Sequence, residues 1–189
     1  MISTRIKFTY GDYLQLPEDK RYELIEGEFF MVPSPNTSHQ GALQNIFRAL
    51  DTYVRNRGLG KVYLAPLDVV LSEENVLQPD ILFVSRERLD IITERNIQGA
   101  PDLVVEILSP ATAQRDKELK QKLYARYGVR EYWLADPSAR TIEVMSLAEA
   151  GFESVGLYHE RAILISPLLR GLSIKVRGVF SGIQADDKG

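Results

Sequence analysis

The sequence predicts an α/β (α+β) domain built on a mixed β-sheet, and three features of the chain carry this prediction. The first is an amphipathic helix in which apolar residues recur at helical spacing from Leu43 to Val54. The second is the run Asp102 to Leu108, whose apolar residues do not alternate with polar ones, as in a central strand buried on both faces. The third is a charged helix over residues 112–127, which leads into a further strand at 131–135.

Composition places the chain among ordinary globular domains. Of its 189 residues, 44% are hydrophobic, which suffices for one core. The formal net charge of −3 gives no general basic field for nucleic acid. The chain has no cysteine, so disulfides and thiolate metal sites are excluded. It shows no signal peptide and no bilayer-spanning apolar run, so we expect a cytoplasmic protein without a membrane partner. We expect one domain over residues 1–180 and a flexible tail over residues 181–189.

The first half of the chain is punctuated by turn and cap residues that divide it into short elements. In chain order the pattern predicts a short helix around Tyr13 and Leu16, a hairpin over residues 22–32 that turns at Glu26-Gly27, a helix over 38–57 ended by Gly58, a strand over 61–72 broken near Pro66, and a strand over 79–85. We expect the last two strands to pair antiparallel, because Glu73-Glu74-Asn75 turns the chain between them.

The second half of the chain predicts the central strand, its helix and a β-rich end. The elements are a short helical stretch over 87–92, the strand 102–108, the helix 112–127, the strand 131–135, a meander over 141–147, 152–159 and 162–165, and a strand or short helix over 172–180. Projection of the helix at 100° per residue places Lys120 beside the apolar stripe that holds Leu123, whereas Lys122 points to solvent.

A carboxylate inside the central strand is the first chemical signal. Glu106 stands among valine and isoleucine, where an ionised carboxylate is strongly disfavoured unless it is paired or bound to a cation. It could also lie at an exposed strand end, pair with a lysine or arginine across the sheet, or occupy a strand edge that faces water. Asp80 follows Pro79 and could start a turn, and Asp68 is a weaker candidate on the preceding strand.

The combination of these residues is more specific than any of them alone. Two carboxylates on neighbouring strands, such as Asp80 and Glu106, can share one Mg²⁺ ion, which prefers oxygen ligands. A lysine close to that ion can orient or deprotonate a water molecule and offset charge in a phosphoryl transition state. Lys120 could instead extend its stem along the core or pair with Asp116. With only His39 and His159, the chain lacks a histidine zinc site.

At these residues the chain resembles the PD-(D/E)XK restriction-endonuclease-like superfamily and, more narrowly, the Uma-type endonuclease family. The shared segments are Tyr22-Glu-Leu-Ile-Glu-Gly-Glu28, Pro33-Ser-Pro35 with His39-Gln40, Gln78-Pro-Asp80, Pro101-Asp-Leu-Val-Val-Glu-Ile-Leu-Ser-Pro110, Lys120 with Leu123-Tyr124, Gly128-Val-Arg-Glu-Tyr-Trp133 and Ser166-Pro-Leu-Leu-Arg-Gly-Leu172. The resemblance covers nearly the whole chain and implies an αβββαβ core.

The resemblance also implies roles for individual residues. Asp80, Glu106 and the carbonyl of Ile107 would bind the metal, and Glu28 and His39 would be secondary candidates beside it. The superfamily expects a lysine two residues after the strand acid, but Leu108 stands there. The matching lysine is then Lys120 on the following helix, with Lys117 as the fallback.

Two hypotheses follow for the function. The first is a Mg²⁺-dependent (or Mn²⁺-dependent) endonuclease that hydrolyses DNA, with Asp80 and Glu106 on the metal and Lys120 positioning the water. The second is a catalytically inactive module of the same fold that binds nucleic acid or protein. Side chains that converge in a concave pocket favour the enzyme, and a sealed ion-pair cluster favours the module. A tyrosine- and leucine-rich surface favours a homodimer.

Overall fold

The computed structural model describes residues 6–17, 19–110 and 116–182 and, within them, thirteen strands that fall into three sheets. The strands are β1 Tyr22–Ile25, β2 Glu28–Met31, β3 Gly60–Leu64, β4 Val69–Ser72, β5 Asn75–Leu77, β6 Ile81–Ser85, β7 Ile97–Gln98, β8 Leu103–Ile107, β9 Glu131–Asp136, β10 Thr141–Ala148, β11 Gly151–His159, β12 Ile163–Ile165 and β13 Ser173–Lys175. The helices are α1 Tyr10–Tyr13, α2 Thr37–Arg57, α3 Gln121–Arg126 and α4 Val176–Val179, with a 3₁₀ helix at Arg86–Ile91 and a π-helical turn at Asp116–Lys120 that leads into α3.

The larger sheet is mixed and has six strands in the order β11-β10-β9-β8-β6-β3. Strand β8 lies inside it, antiparallel to β6 and parallel to β9, and all five of its residues are buried. Its alternate residues serve two cores, since Val105 packs with α2 whereas Val104 packs with α3. The central, doubly buried strand and the αβββαβ order of α2, β3, β6, β8, α3 and β9 are thereby confirmed.

Helix α2 follows the predicted pattern at both ends. The Asn36 side chain accepts a hydrogen bond from the backbone N–H of His39, which caps the first turn. Gly58 ends the helix in the left-handed conformation at φ 59°. The buried stripe of the helix packs on one face of the larger sheet and consists of Ala42, Leu43, Ile46, Leu50 and Val54.

The break predicted near Pro66 is confirmed, but the prediction that residues 61–72 form one interrupted strand is wrong. The chain forms two strands there, β3 in the larger sheet and β4 in a second sheet of five strands with the order β2-β1-β5-β4-β7. The crossing lies at Pro66, because proline cannot donate to a β-ladder. Of the expected pairing, β3 does meet β6 antiparallel, whereas β4 turns into the unpredicted strand β5.

The predicted hairpin over residues 22–32 forms as β1 and β2 and extends the second sheet, because Leu24 of β1 pairs with Val76 of β5. This sheet packs against α3 through Ile25 and Leu77, which share an apolar cluster with Leu123. Helix α3 therefore lies between the two sheets, and its buried face meets both of them.

The C-terminal region departs from the expected meander in one strand. Strands β9, β10 and β11 form an antiparallel meander, but β12 pairs with β13 in a small separate sheet. Residues 172–180 were predicted as a strand or a short helix, and they contain both, with strand β13 followed by helix α4. The predicted helical residues 112–115 and the tail residues 183–189 lie outside the described residues, and the division at residue 180 stays a prediction. No helix in the described ranges is long and apolar enough to cross a bilayer.

Candidate active site

A cavity of about 320 Å³ opens where the N-terminus of α2 meets the start of β6 and the end of β8. Four of the residues predicted from the sequence line it, namely Asp80, Glu106, Ile107 and Lys120, together with the secondary candidate His39. Two loops complete the rim, one from Arg21 and residues 32–35 and the other from residues 64–66. The structure thus brings together two acids, a lysine and a histidine from four separate parts of the chain.

Strand register places the two predicted acids side by side. Ile81 of β6 pairs with Val105 of β8 in the antiparallel ladder, so Asp80 lies next to Glu106 one step further along. The backbone N–H of Ile107 donates a hydrogen bond of 2.7 Å to Oδ2 of Asp80. This bond holds the Asp80 carboxylate against the end of β8.

His39 supports Asp80 from the first turn of α2. Its Nε2 lies 3.1 Å from Oδ2 of Asp80, and its side chain is only 11% exposed. Its Nδ1 is buried and has no hydrogen-bond partner among the described residues. Both described hydrogen-bond contacts of the Asp80 carboxylate therefore use Oδ2.

Glu106 is held by two donors from the helical segment that covers its face of the sheet. Lys120 Nζ lies 3.1 Å from Glu106 Oε1, and the Tyr124 hydroxyl donates to the same oxygen at 2.8 Å. Glu106 is only 3% exposed, so its charge requires such partners. The alternative of an exposed strand end is thereby excluded for Glu106, which is a buried carboxylate paired with a cation. That cation comes from a helical segment and not from across the sheet.

Lys120 reaches the acids because it ends the π-helical turn that precedes α3. Its ammonium group lies 2.8 Å from Oε1 of Glu23 as well as 3.1 Å from Glu106, and the residue is 4% exposed. Lys117 is exposed and does not line the cavity, so the fallback lysine lies away from the acids. A π-turn widens the helix by one residue, a feature that recurs at functional sites.

Glu23 is a member of this cluster that the sequence analysis missed. It lies in β1, is fully buried, and accepts a hydrogen bond of 2.9 Å from the backbone N–H of Gln78. Through Lys120 it is joined to Glu106 on the other sheet. The signal was present in the sequence, because Glu23 stands in a run that continues into Leu24 and Ile25, just as Glu106 stands among valine and isoleucine.

Two secondary candidates lie away from the cavity. Asp68 accepts hydrogen bonds from the Tyr13 hydroxyl at 2.8 Å and from Gln78 Nε2 at 2.9 Å, and Gln78 links it to the cavity. Glu28 begins β2 opposite Ile25 and does not line the cavity. Of the acids in the hairpin, Glu23 lies 2.8 Å from the ammonium group of Lys120.

Burial and the neighbouring carboxylates keep the nearest phenol protonated. Burial, and then the negative charge of Glu106, raise the pKa of Tyr124 well above its ordinary value. The ring also contacts Tyr132 with a centroid distance of 5.4 Å. Tyr124 is therefore a fixed hydrogen-bond donor to Glu106 and not a base.

The cluster has more negative than positive charge. Glu23 and Glu106 both contact the buried ammonium group of Lys120, Asp80 lies next to Glu106 in the strand register, and Arg21 lies at the rim. Hard divalent cations take oxygen ligands and keep several waters, so the carboxylates of Asp80 and Glu106 with a nearby backbone carbonyl suit such an ion. In the part of the chain that the structure describes, no three His, Cys, Asp or Glu side chains are grouped to hold a metal by themselves. A cation here would need the carbonyl and water as further ligands.

Comparison with known proteins places this architecture in a family. The model of the family described as "Uma2: Putative restriction endonuclease" matches residues 10–177. An uncharacterised protein of Synechocystis sp. (strain PCC 6803) is 24% identical over 147 residues, which cover 76% of this chain and 82% of the relative. A solved structure from Anabaena variabilis, described as a "putative nuclease belonging to DUF820", has a TM-score of 0.78 at 23% identity and covers 92% of this chain and 98% of its own.

At that level of identity the structural likeness shows a common fold and no more. The family match is of a different kind, because it runs from α1 to α4 and includes every residue that lines the cavity. The chain is therefore a member of the Uma2 family of putative restriction endonucleases.

Proposed function

We propose that the protein is a metal-dependent endonuclease that hydrolyses phosphodiester bonds in DNA at this cavity. The observation that carries the proposal is the convergence of Asp80 and Glu106 with Lys120 on one concave site. Neighbouring strands supply the two acids and the following helical segment supplies the lysine. The family match and the description of the Anabaena relative as a nuclease support the choice of a nucleic acid as substrate.

Each of these residues would have a distinct role in phosphodiester hydrolysis. Asp80 and Glu106, with the carbonyl of Ile107, would hold Mg²⁺ or Mn²⁺, both of which accept oxygen ligands. When bound, such an ion would polarise the phosphate and acidify a coordinated water. Lys120 would orient the attacking water and offset the charge that develops on the phosphate oxygens. Ile107 and His39 keep Asp80 in place through its Oδ2.

A second candidate is a catalytically inactive module of the same fold that binds nucleic acid or protein. One observation favours it, namely that Lys120 already lies between Glu23 and Glu106 and is 4% exposed. A lysine held in this way stabilises the junction of two sheets whether or not a substrate arrives. The two candidates differ in whether the acids bind a cation and cut DNA.

The deciding experiment measures cleavage of supercoiled plasmid with Mg²⁺, with Mn²⁺ and with chelator. Wild type, Glu106→Gln and Lys120→Met are compared, and Lys122→Met serves as the matched control because Lys122 is an exposed lysine of the same helix. We expect metal-dependent nicking by wild type and Lys122→Met, and a loss of at least about a hundredfold in the other two, in line with the removal of charge stabilisation from an active site.

Calorimetry with Mg²⁺ and Mn²⁺ completes the test. Metal binding that Glu106→Gln abolishes, without cleavage of any substrate, would show a metal site that does not cut DNA. Cleavage that persists equally in Glu106→Gln would identify a contaminating nuclease. Absence of both cleavage and metal binding would overturn the proposal in favour of the binding module.

A further inference from the structure

A second surface of the protein carries a concentration of positive charge at the C-terminal end of α2. Two adjoining depressions of about 600 and 490 Å³ share Tyr53 and Arg57 in their walls and so form one continuous surface. We call it the basic groove, and its cationic side chains are Arg48, Arg57, Arg86, Arg130, Arg170 and Lys175. All six of these residues are exposed.

The charge of the groove contrasts with that of the whole chain, which is −3. Among the described residues that line it, Glu87 is the only acid. Within the described ranges, no ion pair involves Arg48, Arg86, Arg170 or Lys175, so their charges are directed to solvent. Of the other two cations, Arg130 lies 3.6 Å from Asp102 and Arg57 lies over the Tyr53 ring, so the groove keeps a local positive charge that attracts anions.

The groove is held in shape by contacts between its walls. The Tyr53 hydroxyl donates a hydrogen bond of 2.5 Å to the backbone carbonyl of Arg170, and Asn45 Nδ2 donates one of 2.9 Å to the carbonyl of Val179. The guanidinium of Arg57 lies 4.0 Å from the centre of the Tyr53 ring. The two hydrogen bonds join α2 to the loop before β13 and to α4, so the backbone that carries the cations is held in place.

The position of the groove separates it from the cavity with the acids. His39 lies in the first turn of α2 and Arg57 in the last, and a helix rises 1.5 Å per residue, so about 27 Å of helix separates them. The residues of the groove are therefore separate from the proposed reacting groups. A small anion needs two or three converging donors, whereas six cations spread over two depressions match a polymer with regularly spaced charges. Duplex DNA, with one phosphate charge per roughly 1.7 Å of axis, has that form.

We propose that the basic groove binds the phosphate backbone of duplex DNA without sequence preference, away from the cavity. The groove offers arginine, whose planar fork suits phosphate oxygens, at five of its six cationic positions. This contact contributes affinity and on-rate but no chemistry. The proposal takes the choice of DNA from the proposed function, but it does not require the cavity to cut DNA.

The test measures binding of a labelled DNA duplex by fluorescence anisotropy, in chelator and over a range of salt concentrations. The triple variant Arg48→Gln, Arg170→Gln and Lys175→Gln is compared with a control that loses the same charge from exposed residues elsewhere, Arg95→Gln, Lys122→Gln and Arg161→Gln. We expect the groove variant to raise Kd by roughly tenfold and to reduce the slope of log K against log salt by about 2.7, or about 0.9 per phosphate contact. The control variant should change neither Kd nor the salt slope by a comparable amount.

Each other result would overturn the proposal. Equal losses in the two triple variants would show a general charge effect and no groove. Competition by polyglutamate as effective as competition by unlabelled duplex would assign the groove to acidic polypeptides instead. If the wild type did not bind the duplex at all, DNA would not be the ligand of the basic groove. Since chelator removes cleavage from the readout, failure of the proposed nuclease activity leaves this measurement intact, and the plasmid assay reports on that activity separately.

Discussion

At the scale of single residues, the site is organised by buried charge. A carboxylate away from water is stable only if donors or a cation accompany it. Glu106 has Lys120 and Tyr124, and Glu23 has Lys120 and the amide of Gln78. The sequence showed the need for a partner at Glu106, because an acid among valines is conspicuous. Glu23 also stands beside apolar residues, but its partner could not be identified, because a four-residue strand in a hairpin does not show that it packs near another sheet.

Removal of the buried ammonium group should leave two carboxylates uncompensated. We expect Lys120→Met to lower the free energy of unfolding by about 3–5 kcal/mol, the usual cost of removing one partner from a buried ion pair. The double variant Glu23→Gln with Lys120→Met removes one of the two charges that Lys120 had balanced, so it should be more stable than Lys120→Met alone. Urea denaturation of wild type, both single variants and the double variant gives the coupling energy.

The exposed Lys122 supplies the control for this cycle, since Lys122→Met should change stability by less than about 0.5 kcal/mol. Strictly additive effects of Glu23→Gln and Lys120→Met would contradict the assignment, because they would mean that the two side chains do not interact in the folded protein.

At the scale of elements, local pattern predicted those parts of the fold that local forces determine. Helix α2 has a capping asparagine, a regular apolar stripe and a terminal glycine, and it forms where expected. The central strand β8 was recognisable from its unbroken apolar run. Strands β3 and β4 were predicted as one interrupted strand and β5 was missed, because a strand pattern shows which residues are buried but not which sheet they join. That choice depends on contacts with β1 and β7, far away in the sequence.

The N-cap of α2 links an element boundary to the candidate site. Asn36 caps the backbone N–H of His39, whose side chain contacts Asp80. We expect Asn36→Ala to lower the free energy of unfolding by about 1 kcal/mol, the typical cost of losing an N-cap, and to reduce plasmid cleavage because His39 loses its fixed position. Urea denaturation and the plasmid assay check the two effects.

Thr9→Ala is the matched control, because Thr9 caps the single-turn helix α1 at an exposed position. It should cost a similar or smaller amount of stability without a change in cleavage. Equal loss of cleavage in the two variants would show that general destabilisation, and not the position of His39, controls activity.

At the scale of the whole molecule, the candidate site lies at the junction of the two main sheets. Glu23 belongs to the five-stranded sheet and Glu106 to the six-stranded one, and Lys120 pairs with both. The projection of the helix from the sequence placed Lys120 at the edge of the buried stripe, and the structure buries it. The sequence could not show that this stripe contacts two sheets, because nothing in the local pattern of the hairpin predicts that it packs on α3.

A second group of buried hydrogen bonds, centred on Glu131, connects the C-terminal segment to the larger sheet. Glu131 of β9 is fully buried and accepts hydrogen bonds from the Ser166 hydroxyl at 2.6 Å, from Trp133 Nε1 at 2.7 Å and from the backbone N–H of Leu168 at 2.8 Å. Burial raises the pKa of this carboxyl above its ordinary value near 4.5, although its three donors oppose the shift. The folded protein therefore holds the Glu131 proton more tightly than the unfolded chain.

The sign of the resulting pH dependence follows from linkage. The extra stability from this proton is fully present below the unfolded pKa near 4.5 and is lost as pH rises through the higher folded pKa. Glu131→Gln has no such proton, and its amide cannot accept all three hydrogen bonds. We expect the variant to be less stable by about 1–3 kcal/mol at low pH. The difference from wild type should become smaller as pH rises from about 4 to about 7, as measured by urea denaturation at each pH.

Glu153→Gln provides the comparison, because Glu153 is exposed on β11 and its loss should give a small difference that changes little with pH. If the Glu131→Gln difference instead grew with pH, the three donors would outweigh burial and the folded pKa would be lowered. In that case Glu131 would fasten the C-terminal segment most strongly as a carboxylate, and its contribution would be lost on acidification rather than on neutralisation. The direction of the slope thus decides which protonation state of Glu131 joins the segment to the sheet.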